Sequence, residues 1–195
     1  LLCTALIIGF RPAVGICIYA ACFLLYPQAL TVMIGTVDFN TGRILVLVLF
    51  LKALCTRGAV SSFRWSALDT FVILSFLADT YALTRNVAAD IVLVREGGVF
   101  VDVVLAYFAT RLIVRSKQDL FGLIKTFVIV GLPLAFLGAV DAKINYNPYD
   151  FFSSHYGWGL SGITGGYDEK RHGFYRASGS FGNSIIFGMY FAAVV

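Results

Sequence analysis

Leu120 to Val140 is an unbroken run of aliphatic, aromatic and small residues that carries one charge, Lys125. A helix needs roughly 20 such residues to cross a bilayer, because it rises only about 1.5 Å per residue through about 30 Å of hydrocarbon. Runs of the same character precede it at Leu1 to Phe10, Ala13 to Ile34, Arg43 to Cys55, Ser66 to Thr84 and Val99 to Val114, and a seventh begins near Phe181. Backbone polar groups in lipid must be satisfied within their own segment, so the runs are predicted to be helices. With 59% apolar and 13% charged residues, the chain has too little polar surface for a water-facing exterior, where about 25% charged residues is usual. The 18 Phe and 10 Tyr are the reverse of a disordered composition. The expected fold is an all-α polytopic membrane protein of about six to seven transmembrane helices, with residues 1–195 forming one membrane domain. The first run is short and the last is still apolar at Val195, so the expectation is a fragment of a longer membrane protein, truncated at both ends.

The links between the runs carry most of the charge. Arg11, Lys52, Arg57, Arg64, Arg111, Arg115 and Lys117 fall in alternate links with Asp119, whereas Asp38, Arg43, Asp79, Arg85, Asp90, Arg95 and Glu96 fall in the other set. The positive-inside rule places the first set in the cytoplasm and the segment Asp141 to Tyr175 outside. The net charge of +4 is thus a topology signal, and no basic stripe interleaved with exposed aromatics points to nucleic acid. Cys3, Cys17, Cys22 and Cys55 lie within apolar runs without a CxxC pair and read as small apolar residues. No cofactor or metal-binding pattern is present.

Charges inside apolar runs are costly and are functional candidates unless they reach an interface. Lys52, Arg111 and Lys125 are expected to snorkel to the cytoplasmic boundary. Asp69 lies one turn into the fourth run. Asp79 and Asp102 are expected to share an outer layer with Arg85 or Arg95 as partner. Thr84 to Gly98 is expected to be an interfacial helix or a loop.

The segment Asp141 to Tyr175 exchanges aliphatics for Gly, Asn, Ser, Tyr and Trp158, and reads as an extracytoplasmic loop anchored by aromatic residues or as a substrate-facing one. Its end leads into Arg176-Ala177-Ser178-Gly179-Ser180-Phe181-Gly182-Asn183-Ser184-Ile185-Ile186-Phe187-Gly188. An arginine before a Gly/Ser-rich turn that opens a helix has the parts of an anion site. The guanidinium offers a planar fork, the glycines allow backbone N–H groups to approach, and the helix N-terminus adds partial positive charge. A snorkelling arginine beside small packing residues accounts for the same spacing.

This string, behind an outer loop and after about six helices, resembles the corresponding part of the O-antigen ligase and O-antigen polymerase family. Arg11-Pro12, the link Gly35 to Arg43 and the turn Arg115-Ser116-Lys117-Gln118-Asp119-Leu120 are similar to that family's N-terminal half. Members often carry Pro-Asn at Ser184-Ile185, which leaves ligation and polymerisation both open. The resemblance implies a GT-C-like helical bundle in the bacterial inner membrane. Its activity would be metal-independent transfer of a glycan from an undecaprenyl-diphosphate carrier to a sugar hydroxyl, on a lipid-A-type acceptor or a second lipid-linked glycan. It also implies a diphosphate-binding role for Arg176, with Arg171, Ser178 and Gly179 as weaker candidates. His155 and His172 are read as bystanders, because the family's catalytic histidine belongs to a later outer loop. The competing classes are a polytopic transporter or flippase, which calls for midplane substrate contacts and repeated halves, and a membrane-anchoring subunit without chemistry.

Overall fold

A computed structural model describes residues 2–26, 31–34, 37–144, 173, 175 and 184–194. The described chain is helical apart from two four-residue strands. It divides into two units, 1–19 with 32–120 and 20–31 with 121–195.

In the first unit, α1 (Leu2–Gly9) and the start of α2 (Pro12–Leu25) precede a two-stranded sheet, β1 (Thr31–Ile34) and β2 (Val37–Asn40), which belongs to this unit from Val32 on. The apolar run Ala13 to Ile34 is therefore not one helix. Pro27 has no N–H to donate and disfavours helical backbone at the residue before it, so α2 ends at Leu25. Next comes α3 (Thr41–Cys55), capped by the Asn40 side chain, which accepts from the Arg43 N–H at 2.8 Å. This helix is the centre of the unit: Leu45, Val46, Leu49 and Ala53 are buried where α1, the helical turn of residues 100–105 and α6 pack against it. Lys52 reaches toward the link that holds Arg11. Its ammonium donates to the carbonyls of Ile7, Ile8 and Phe10, satisfying acceptors that the end of α1 leaves open.

Ser66 caps α4 (Ala67–Thr84) and forms a capping box with Asp69. Thr84 to Gly98 is mostly helical, because α5 (Ala89–Val99) continues without a break through a π-helical segment (Phe100–Leu105) into α6 (Ala106–Ile113). Gly97 and Gly98 thus sit inside a helix. Gly98 has a packing reason: a Cβ there would collide with the Arg43 guanidinium, whereas Gly97 faces open space.

In the second unit, α7 (Lys117–Ile144) runs through Pro133, and its first residues, to Leu120, belong to the first unit. It extends four residues into the segment read as an outer loop, and Asp141 is buried. A further helix, α8 (Ser184–Val194), begins three residues after Phe181. It lies antiparallel to α7, since Tyr190 meets Phe127 and Gly131 while Phe187 meets Gly138. The Tyr190 hydroxyl donates to the Phe127 carbonyl at 2.7 Å, and Leu24, Val130 and Leu134 form the buried core beside them. Gly131 and Gly138 share one face of α7 and let the two rings approach its backbone, the small-residue device of helix pairs in lipid. Gly138→Val is expected to displace Phe187 and to cost about 1–3 kcal/mol. Gly97→Ala should instead stabilise its helix by roughly 0.5–1 kcal/mol. Thermal unfolding of the two variants in one detergent checks this pair, and equal midpoints would contradict it.

Among the described residues, α4 and α7 are long and apolar enough to cross a membrane. Leu68, Phe71, Leu74 and Leu77 on α4, and Phe121, Ile129, Leu132 and Phe136 on α7, are each more than half exposed. Apolar faces of this extent are unfavourable in water and favourable in lipid, which supports membrane association.

Candidate functional site

Arg176, Arg171, Ser178 and Gly179 lie outside the described residues, as do His155 and His172. What the structure gives is their surroundings in the chain. Gly173 has φ +86°, a backbone conformation that glycine adopts without steric cost. The N–H of Tyr175 donates to the carbonyl of Ala142 at 2.8 Å, in the last turn of α7. With α8 antiparallel to α7, Tyr175, just before the arginine string, and Ser184, where the string enters α8, belong to the same end of this helix pair.

The first unit contains two charged clusters. At the start of α4, Asp69 is fully buried. Its Oδ1 accepts from the Tyr107 hydroxyl at 2.7 Å and from Arg111 Nε at 3.1 Å. Its Oδ2 accepts from the Ser66 N–H at 2.6 Å, the Ser66 hydroxyl at 2.8 Å and Arg111 Nη2 at 3.1 Å. This is a bidentate arginine–carboxylate pair, the strong form of charge-assisted hydrogen bonding. Arg111, expected to snorkel, is held instead by a buried carboxylate on a neighbouring helix. Phe63 lies beneath its guanidinium at 5.6 Å. Both Asp69 oxygens are occupied, so the cluster joins α4 to α6 and leaves no free carboxylate oxygen.

The second cluster lies toward the start of α3. Arg43 pairs with Asp102 of the π-helical segment, Nη2 at 3.0 Å and Nε at 3.1 Å. The partner of Asp102 is therefore neither Arg85 nor Arg95, the two that the sequence suggests. Arg43 takes it because the π-helical segment packs on α3 and Gly98 leaves room for the guanidinium. Arg85 instead donates to the Tyr81 hydroxyl at 3.1 Å, and Asp79 and Lys125 are exposed. Glu96 is buried and accepts from the Thr80 hydroxyl at 3.1 Å through Oε2, while Oε1 has no hydrogen-bond partner among the described residues. A cavity of about 770 Å³, lined by Arg43, Asp90, Arg95 and the apolar Ile91, Leu93, Val94 and Val99, opens beside Arg43. Its volume falls within the roughly 300–1,000 Å³ of small-ligand sites.

Of these groups, Ser66 and Asp69 were legible as a Ser-x-x-Asp capping box before an apolar run. Neither ion pair was legible, since each joins helices far apart in sequence. Of the four cysteines, Cys3, Cys17 and Cys22 are partly buried within α1 and α2, and Cys55 is exposed at the end of α3. Comparison of the chain with protein-family models, curated proteins and solved structures found no match.

Proposed function

We propose that the protein is a glycosyltransferase of the bacterial inner membrane, spanning it about six to seven times. It transfers a glycan from an undecaprenyl-diphosphate carrier to a sugar hydroxyl on the outer face, as O-antigen ligases and polymerases do. The reading is carried by the string Arg176 to Gly188 leading into α8. The hydrogen bond from Tyr175 to the last turn of α7 supports it, because it ties the residue before Arg176 to the end of α7 that the charge pattern assigns to the outer face. The pairing of Asp69 and Asp102 with arginines also weighs against a carboxylate relay through the membrane, the feature a transporter would need.

In the reaction, the acceptor oxygen attacks the anomeric carbon and the bond from that carbon to the diphosphate oxygen breaks. The lipid diphosphate leaves with the electron pair, and the hydroxyl proton passes to a base. Arg176, with Arg171 and the backbone near Ser178 and Gly179, meets the negative charge that develops on the leaving diphosphate. The test uses the full-length protein in vesicles supplied with a polyprenyl-diphosphate-linked oligosaccharide and a sugar-bearing acceptor. The expected products are the extended glycan and the free lipid diphosphate, formed from donor on the face that bears residues 145–166. No glycan extension from either face, with the protein folded and inserted, would reject the proposal.

A further inference from the structure

At the end of the first unit that carries the Asp69–Arg111 pair, the link between α3 and α4 folds over the end of α6. Two hydrogen bonds hold it there: Arg115 Nη2 donates to the Gly58 carbonyl at 3.0 Å, and Arg111 Nη2 to the Arg64 carbonyl at 3.2 Å. Between link and helix is a cavity of about 450 Å³ lined by Ala59, Ser62, Phe63, Arg64, Arg111, Val114 and Arg115.

The charge of Arg111 is balanced by Asp69, so the surplus positive charge of the cavity comes from Arg64 and Arg115. Arg115 spends Nε on the Leu112 carbonyl at 2.9 Å and one Nη2 hydrogen on Gly58, which leaves its Nη1 hydrogens. The Arg64 guanidinium makes no hydrogen bond among the described residues. The nearby acid, Asp119, is turned to the backbone N–H groups of Ser116 and Arg115 at 3.0 and 3.3 Å. Two arginines with open donors therefore face one small cavity without a countercharge of their own.

Exposed apolar side chains come directly after the cavity's Arg64 in the chain, and the first of them, Trp65, meets the lining residue Phe63. Trp65, just before the cap of α4, and Leu68 and Phe71 in its first turns follow Arg64 in the chain with exposures of 61%, 57% and 68%, and Trp65 packs near Phe63 and Phe108 in an aromatic group of the kind found at headgroup depth. We infer that this cavity binds the phosphate of an anionic phospholipid, with the Arg64 and Arg115 forks on the headgroup and the acyl chains along Trp65, Leu68 and Phe71. A free phosphate ion would satisfy the arginines but leave that strip without an occupant, which is why the lipid is the ligand chosen. The inference rests on the membrane reading and not on the glycosyltransferase activity, so either can fail while the other stands.

The test is lipid retention. The protein is reconstituted in phosphatidylcholine doped with phosphatidylglycerol and extracted into mild detergent, and the lipids kept per chain are counted by native mass spectrometry. The wild type is expected to retain phosphatidylglycerol well above its share of the bilayer. Arg64→Ala should lower that enrichment roughly fivefold, Arg64→Ala with Arg115→Ala should bring it to the bulk ratio, and Lys125→Ala should leave it unchanged. The Arg64 side chain is exposed and makes no hydrogen bond or ion pair among the described residues, so its loss is expected to leave the fold intact. Unselective retention by the wild type, or equal retention by Arg64→Ala, would overturn the inference. Displacement of the retained lipid by millimolar inorganic phosphate would assign the cavity to a soluble anion and overturn it likewise.

Discussion

Arg111→Ala is expected to cause a large loss of stability in the first unit, about 2–4 kcal/mol, less than for a fully buried pair because the Arg111 side chain is 38% exposed. Asp69 is fully buried and takes two of its five hydrogen bonds from Arg111. Without the guanidinium, Tyr107 and Ser66 still donate, but a carboxylate remains in a low-dielectric site with no countercharge. A cost of that size corresponds to a fall on the order of 10 °C in unfolding midpoint for a chain of this length. Tyr107→Phe removes one neutral donor and should cost about 1–2 kcal/mol. The double change Asp69→Leu with Arg111→Met removes both charges together and should recover most of the loss, since a buried ion pair replaced by apolar side chains is often neutral or stabilising. Thermal unfolding of the wild type and the three variants in one detergent measures the series. If the double variant were as unstable as Arg111→Ala, the penalty would come from lost packing and not from an orphaned charge.

The series also shows which parts of this fold a sequence can display. Local chemistry was visible: Ser66 and Asp69 mark the start of α4 because a capping box needs only four residues, and the loss of polar residues after Leu120 marks α7. The end of α2 was visible too, in Pro27, but hydropathy averaged across it concealed the break. Pairings across helices left no such trace. Arg111 and Asp69 are 42 residues apart and Arg43 and Asp102 are 59 apart, so nothing in the periodicity of either helix announces its partner. Each arginine viewed alone is indistinguishable from one that snorkels. The stretch Thr84 to Gly98 was open between interfacial helix and loop, and the Arg43 guanidinium lying against Gly98 is a contact across helices that the sequence does not display. At the proposed diphosphate site the reverse holds. The chemistry of Arg176, Ser178 and Gly179 is legible in the string itself, and what the fold contributes is the packing of α8 on α7 and the tie at Tyr175.

Arg176→Ala is expected to reduce glycan transfer by the full-length protein by roughly 10²–10³-fold, the usual consequence of removing one preorganised donor from a developing oxyanion. The direction follows from the leaving group. A lipid diphosphate gains negative charge as its bond to the sugar breaks, so a cation there is worth more in the transition state than in the bound donor, and the loss should fall mainly on kcat. Arg176→Lys should recover little, because an ammonium cannot offer the two parallel N–H bonds of a guanidinium to adjacent phosphate oxygens. Arg171→Ala should cost far less, since Arg171 stands next to Lys170 and close to Asp168 and Glu169 in a charged stretch where solvent screening weakens single charges. The measurement is transfer rate against donor concentration in vesicles for wild type and the three variants. A rate within twofold of wild type for Arg176→Ala would remove the diphosphate role, whereas a loss confined to KM would make Arg176 an anchor for the carrier in its ground state. A lysine variant as active as wild type would show that charge alone suffices, and the two-pronged contact inferred from the Gly/Ser-rich turn would have to be given up even if the site itself survived.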